Sequence, residues 1–160
     1  MAESTVVSVP RDGSITITNG DATSYVVNYE NGDFSYNEDK AERITIFSRG
    51  SIVGLRSGND PIPTLSFTVH LRELMNSSAD TLLDFISKTN NSSGATSTGG
   101  TGYEPFLVDL VFKTDSIAVG GSSTKVTCSK VLLFASVSEG SPDQIAISGE
   151  IYGGTIRAAG

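Results

Sequence analysis

The chain has no tryptophan, one histidine (His70) and one cysteine (Cys128) in 160 residues. A lone cysteine forms no internal disulfide and supplies no thiolate zinc set. A lone histidine leaves a Ser-His-Asp triad to long-range coincidence. Cations are scarce as well: 11 Lys and Arg face 18 Asp and Glu, giving a net charge of −7 and a pI near 4.5. That balance argues against adhesion to nucleic acid, which relies on clustered cations displacing counterions from phosphates. Without tryptophan, a sugar-binding platform lacks its best aromatic. No run of 18 apolar residues exists for a membrane span, and "MAESTVVSVPRDG" lacks the basic-then-apolar start of a secretory signal. A reducing cytoplasm is the expected setting. The Asn-X-Ser sequons at Asn76, Asn90 and Asn91 then read as chance products of a Ser/Asn-rich sequence.

What the chain does hold is Ser, Thr, 17 glycines and 38% hydrophobic residues, a mixture that favours strands and turns. Its length suits one domain that buries roughly 70% of its unfolded surface. Residues 1–13 read as an extended arm, and 14–160 as a single β domain. "SITITNG" alternates Ile15 and Ile17 with polar residues and ends in an Asn-Gly turn pair. "TSYVVNYENGDFSYN" reads as a hairpin, with Tyr25, Val27 and Tyr29 before the turn and Phe34 and Tyr36 after it. "ERITIFSRGSIVGL" sets Ile44 and Ile46 on one face and turns at Gly50. "TLSFTVHL" has a strict period of two. In "NSSADTLLDFISKTNN" the period changes: Leu82, Leu83, Phe85 and Ile86 form a helical stripe over about 78–88, with Ser78 as N-cap. The low-complexity stretch at about 90–102 reads as a flexible surface loop, and three further strands follow. The expected fold is mainly β: an antiparallel two-sheet sandwich or partly closed barrel with one flanking α-helix.

No constellation carries catalysis or a cofactor. "RGSIVGLRSGNDPIPTLSF" and "GGSSTK" have the glycines of a phosphate loop, but not its spacing at a strand-to-helix junction. "NGDFSYNED" spaces oxygen donors like a calcium loop without the glycine and terminal glutamate of an EF-hand. His70 falls on the polar face of its strand. Neither an enzyme nor a cofactor or metal site is expected. Two carboxylates stand out: Asp109 interrupts "FLVDLVF" and Glu150 interrupts "ISGEIYG". They mark the solvent face of a monomer, or the channel wall of a ring.

Taken together, "NYENGDFSYNEDKAERITIFSRGSIVGLRSGNDPIPTLSFTVHL", the helix "ADTLLDFIS", the Ser/Gly loop, "FLVDLVF" and "SEGSPDQIAISGEIYGGTI" resemble the tail tube (major tail) proteins of long-tailed bacteriophages, from Ser14 to Ile156. The resemblance implies a structural virion protein, assembled in the bacterial cytoplasm. Its hexameric rings stack into a hollow tube that conducts DNA without binding it, next to tape-measure, terminator and distal tail proteins and without a membrane. In such a ring Asp109 and Glu150, with Glu73 as a third candidate, would face the lumen and repel phosphate. Ring-to-ring contact would fall to the arm (Val6, Val7, Val9) and to the polar segment holding Asn31, Asp33, Phe34, Tyr36, Glu38 and Asp39. Type VI secretion tube subunits and tail terminators are alternatives on the same fold. A monomeric β-sandwich that binds carbohydrate or peptide is the alternative of a different class.

Overall fold

A computed structural model describes residues 13–27, 33–38, 41–71, 74, 78–99, 105–114, 123–140 and 143–159. Ten strands and one helix are arranged along them: β1 (Ser14–Thr18), β2 (Ser24–Val27), β3 (Ser35–Tyr36), β4 (Arg43–Ser48), β5 (Ser51–Ser57), β6 (Thr64–His70), α1 (Leu82–Ser87), β7 (Val108–Thr114), β8 (Thr124–Ser138), β9 (Gln144–Ile151) and β10 (Thr155–Ala159). All pairings are antiparallel. Eight strands form one sheet in the order β2-β1-β7-β8-β9-β6-β3, with β10 also on β8; β4 and β5 form a separate hairpin.

The large sheet folds on itself along β8. The first part of this 15-residue strand lies between β7 and β10, while Val131–Ser138 pairs with β9. Between them the β7–β8 register shifts, so that Asp109 opposes both Ser129 and Lys130, and Lys130 takes a left-handed φ of 52°. Across the strand, the turn after Ile151 carries the chain from β9 to β10: Tyr152 and Gly153 donate to the carbonyls of Lys130 and Ser129, and Ser129 donates to Gly154. A bulge beside a strand break is how one sheet turns a corner and becomes two layers.

Alternation then fills the interior. Ile15, Ile17, Val108, Leu110 and Cys128 come from one layer, Leu65, Phe67, Val69, Ile145 and Ile147 from the other, and all are buried in a single cluster. Phe34, just before β3, stacks on Phe112 across the layers at a centroid distance of 4.3 Å and also meets Phe67. Two-layer β architecture with one short helix is what the period-two segments predict.

Several local expectations change. The Asn-Gly pair does open a turn, Asn19–Thr23, where the Asn19 side chain accepts the Asp21 and Thr23 N–H groups, but that turn returns β2 onto β1 and so gives β2 a partner other than the segment of Phe34 and Tyr36. β3 pairs with β6 instead of β2, because Phe34 and Tyr36 carry their rings to the core. The helix N-cap is Thr81, not Ser78. Its hydroxyl accepts the Asp84 N–H and donates to the Asp84 carboxylate, closing a short reciprocal box just before the buried Leu82 and Phe85. Over residues 90–99 the Ser/Gly stretch lies back on the domain: Ser92 and Ala95 are buried, Thr96 donates twice to Asp21, and Thr98 donates to Leu107.

Two measurements check this core. A Cβ on Gly149 would lie 2.9 Å from Leu133 Cδ2, 3.0 Å from Val131 Cγ1 and 3.1 Å from Leu65 Cδ1; Gly149→Val is therefore expected to lower the unfolding free energy by about 1–3 kcal/mol in urea titration. The Thr81 hydroxyl, followed by the Asn90 and Thr89 side chains, holds Asp84 below the ordinary carboxylate value of 3.8. A carboxyl lowered on folding stabilises above its unfolded pKa, and the benefit disappears as pH falls through the folded value. Asp84→Asn should thus be less stable than wild type near neutrality, with the gap closing below about pH 4; a gap constant from pH 7 to pH 2 would contradict this.

Candidate assembly surfaces

The described surface carries open strand edges and uncovered apolar side chains. Among the described residues, the edge of β8 opposite β9 has no partner from Leu132 to Ser138, because β7 ends at the Val108–Val131 pair. That edge, "LLFASVS", contains no charge, no proline and no bulge, the usual guards of a free edge. Phe134 and Val137 are 49% and 46% exposed on its opposite faces. Among the described residues β2 and β10 also pair on one side only, with Val26 and Ile156 exposed.

The outward face of β6, β9 and the second half of β8 is built by register. Thr64 lines up with Glu150 and Leu132, Ser66 with Ser148 and Phe134, Thr68 with Ala146 and Ser136, and His70 with Gln144 and Ser138. Two adjoining shallow depressions share Ser66, Phe134 and Ser148. Half of these positions are Ser or Thr, with Leu132, Phe134 and Ala146 apolar among them, Glu150 as the carboxylate and no lysine or arginine. Among the described residues, no cluster of three or more His, Cys, Asp or Glu can hold a metal ion, and no helix is long and apolar enough to cross a membrane.

The two singled-out carboxylates each have an internal partner. Asp109 Oδ1 accepts the Lys130 N–H at 2.9 Å, satisfying the donor that the bulge turns away from the ladder. Glu150 accepts the Tyr152 hydroxyl, which raises the phenol pKa above 10.0. Of the segment assigned to ring contacts, Asp33 is exposed and accepts the Thr68 N–H at 3.1 Å, and Glu38 pairs with Arg157 at 3.4 Å. Phe34 and Tyr36 are half-buried with their rings against the core. Val6, Val7, Val9, Asn31, Asp39 and Glu73 lie outside the described residues.

Alternation in "ITIF" and "SIVGL" signalled strands but gave no warning that their apolar residues stay uncovered. In β4 and β5 every residue except Gly54 is exposed, and Ile44, Ile46, Phe47, Ile52, Val53 and Leu55 are 44–69% accessible. Period fixes which residues share a face; it does not say whether that face meets the core.

No family model matches the sequence, and no curated protein matches it. Solved structures do share its fold. A chain of the extended-state sheath–tube complex of an extracellular contractile injection system, PVC, superposes with a TM-score of 0.54 at 11% identity, over 91% of this chain and 88% of that one. A chain of the 6-fold symmetrised baseplate of the anti-feeding prophage, AFP, superposes with a TM-score of 0.55 at 11% identity, over 99% and 97%. The fold is that of components of contractile injection systems.

The local role of Asp109 is testable. Asp109→Ala leaves the Lys130 N–H without its acceptor and is expected to cost about 1–3 kcal/mol in chemical denaturation, whereas Asp109→Asn, which keeps a carbonyl oxygen, costs less. Equal losses in both variants would count against the hydrogen bond as the reason for an acid here.

Proposed function

We infer that the chain is a structural subunit of a phage-tail-like tube, with other copies of itself completing its sheet. The observation that carries this reading is the uncharged, unguarded edge Leu132–Ser138, on a fold shared with injection-system components. A soluble monomer blunts such an edge; an assembling subunit keeps it for a partner. Unlike edges on one molecule favour head-to-tail contact, which closes into a ring by rotation and continues as a stack by translation. Hexameric rings stacked into a hollow tube, built in the bacterial cytoplasm and carried in the tail with tape-measure, terminator and distal tail proteins, are the arrangement we propose.

In that tube the polar outward face of β6 and β9 lines the passage. DNA carries about one negative charge per 1.7 Å of axis, and this wall offers it Glu150 and no cation. Asp109 and Glu73 are proposed as further acidic positions of the lining. The arm residues Val6, Val7 and Val9, with Asn31, Asp33, Glu38 and Asp39, are proposed contacts between rings. Such a subunit needs no active site, cofactor or membrane.

Negative-stain electron microscopy of the purified protein tests the reading. Rings or tubes about one subunit thick in wall are expected. Single closed rings alone would favour a terminator. A chain that remains monomeric up to the highest soluble concentration would overturn the proposal and favour a ligand-binding sandwich.

A further inference from the structure

The turn between β1 and β2 opens on Asn19–Gly20, and packing dictates both residues. A Cβ at position 20 would collide with the Ser97 carbonyl oxygen and lie 2.8 Å from Thr96 Oγ1, so only glycine fits against the Ser/Gly stretch. Asn19 is 7% exposed, and its Oδ1 accepts the Asp21 N–H at 3.0 Å and the Thr23 N–H at 2.9 Å. The fold thus requires a dipeptide with a chemical liability, because no side chain on glycine shields its amide nitrogen from the asparagine before it. In that reaction the Gly20 nitrogen attacks Asn19 Cγ. The N–Cγ bond forms, the Cγ–Nδ2 bond breaks, and the amide proton leaves with Nδ2 as ammonia. Water then opens the cyclic imide at either carbonyl, giving aspartate or isoaspartate at position 19. Water is the one co-reactant, and nothing is oxidised or reduced.

Two groups must be freed before the ring can close, and residues 90–99 hold one of them. The Gly20 N–H donates to the Thr96 carbonyl at 2.8 Å, so the attacking nitrogen keeps its proton while that bond stands. The Asn19 amide is the other, pinned by the two N–H groups of its own turn. Gly20 itself is exposed, so water is at hand and the protection comes from hydrogen bonds. What keeps Thr96 in place is chiefly Asp21, whose carboxylate accepts the Thr96 N–H at 2.8 Å and the Thr96 hydroxyl at 2.7 Å. Those bonds, the hydroxyl's first, hold the Asp21 carboxyl below its ordinary 3.8, so it is charged near neutrality. Beyond Thr96 the strap is fastened again: the Thr98 N–H donates to the Leu107 carbonyl at 2.8 Å, and Ser97 Oγ accepts the Leu107 N–H at 2.9 Å.

We propose that Asn19–Gly20 is a self-modification site kept closed by the 90–99 strap, with the Asp21–Thr96 pair as its latch: release of the strap frees the Gly20 amide and commits Asn19 to aspartate or isoaspartate. The latch lies at the exposed surface, where local opening is cheapest. Isoaspartate routes the main chain through the former side chain and lengthens it by one methylene. The Thr18–Ser24 register of the turn and the seat of the strap on Gly20 are then lost for good. The site records each opening irreversibly, and it needs nothing from the tube reading.

The test incubates the full chain in mildly alkaline buffer and reads conversion at position 19 by peptide mass mapping, site by site because Asn31–Gly32 carries the same dipeptide. Circular dichroism checks folding. Wild type, Asp21→Ala and Thr96→Val are compared in native buffer and in urea; both substitutions leave Asn19 and Gly20 in place. In urea all three should convert at one rate. In native buffer wild type should be slower than in urea by at least about tenfold, and Asp21→Ala should regain roughly tenfold of that, as expected for two lost hydrogen bonds to a charged group. Thr96→Val loses the hydroxyl but keeps the N–H and carbonyl, so it should fall between them. Should Asp21→Ala prove unfolded, the comparison of Thr96→Val with wild type decides. Native wild type that converts as fast as the urea sample would overturn the proposal. So would folded latch variants that convert at the native wild-type rate, since the strap would then not be the guard.

Discussion

The bend in β8 is the constraint on which the other features depend. Fifteen residues in one strand would give a single flat sheet with one face wet. The Ser129–Lys130 bulge, secured by the Asp109 carboxylate on one side and the Tyr152–Gly154 turn on the other, converts that sheet into two layers able to enclose Phe67, Leu110 and Ile147. The same bend has a cost for a solitary molecule. Past the Val108–Val131 pair, the remaining seven residues of β8 have, among the described residues, β9 as their one strand partner. The core is thus closed and the edge left open by one local event, and an acid in an apolar run is part of how it is held.

An exposed edge and an exposed hairpin share a logic. Burying apolar surface gains about 25 cal/mol per Å², so side chains such as Phe47, Ile52 and Leu55 have a standing tendency to find cover. Free backbone groups on a strand edge favour another strand over a featureless apolar surface. Together they favour a protein partner with edges of its own, and we propose that this partner is another copy of the chain. The outward face of β6 and β9 is more polar, with Thr64, Ser66, Thr68 and Ser148 beside His70, Gln144 and one carboxylate, Glu150, and it is the face we propose for the passage.

Much of the fold was legible in the sequence. Strict alternation in "TLSFTVH" and "QIAISGEI" placed β6 and β9 and the residues they bury, and the change of period marked α1 around Leu82 and Phe85. Strand partners were less legible, because pairing is decided by tertiary packing. Phe34 and Tyr36 looked like the return arm of a hairpin until their rings were found stacked on the core beside β6. The low-complexity stretch hid its anchors because Asp21, which holds Thr96, is 75 residues away. The assembly surfaces were the least legible part: a run such as "RITIFSRGSIVGLRS" reads alike whether its apolar residues meet their own core or a neighbour's.

Hydrogen–deuterium exchange at rising protein concentration addresses the central claim most directly. The account predicts that amides in Leu132–Ser138 exchange quickly in dilute protein and become protected as the protein assembles, while those of Ile15, Phe67 and Ile147 are slow throughout. Assembled protein in which that segment continues to exchange at its dilute rate would contradict it.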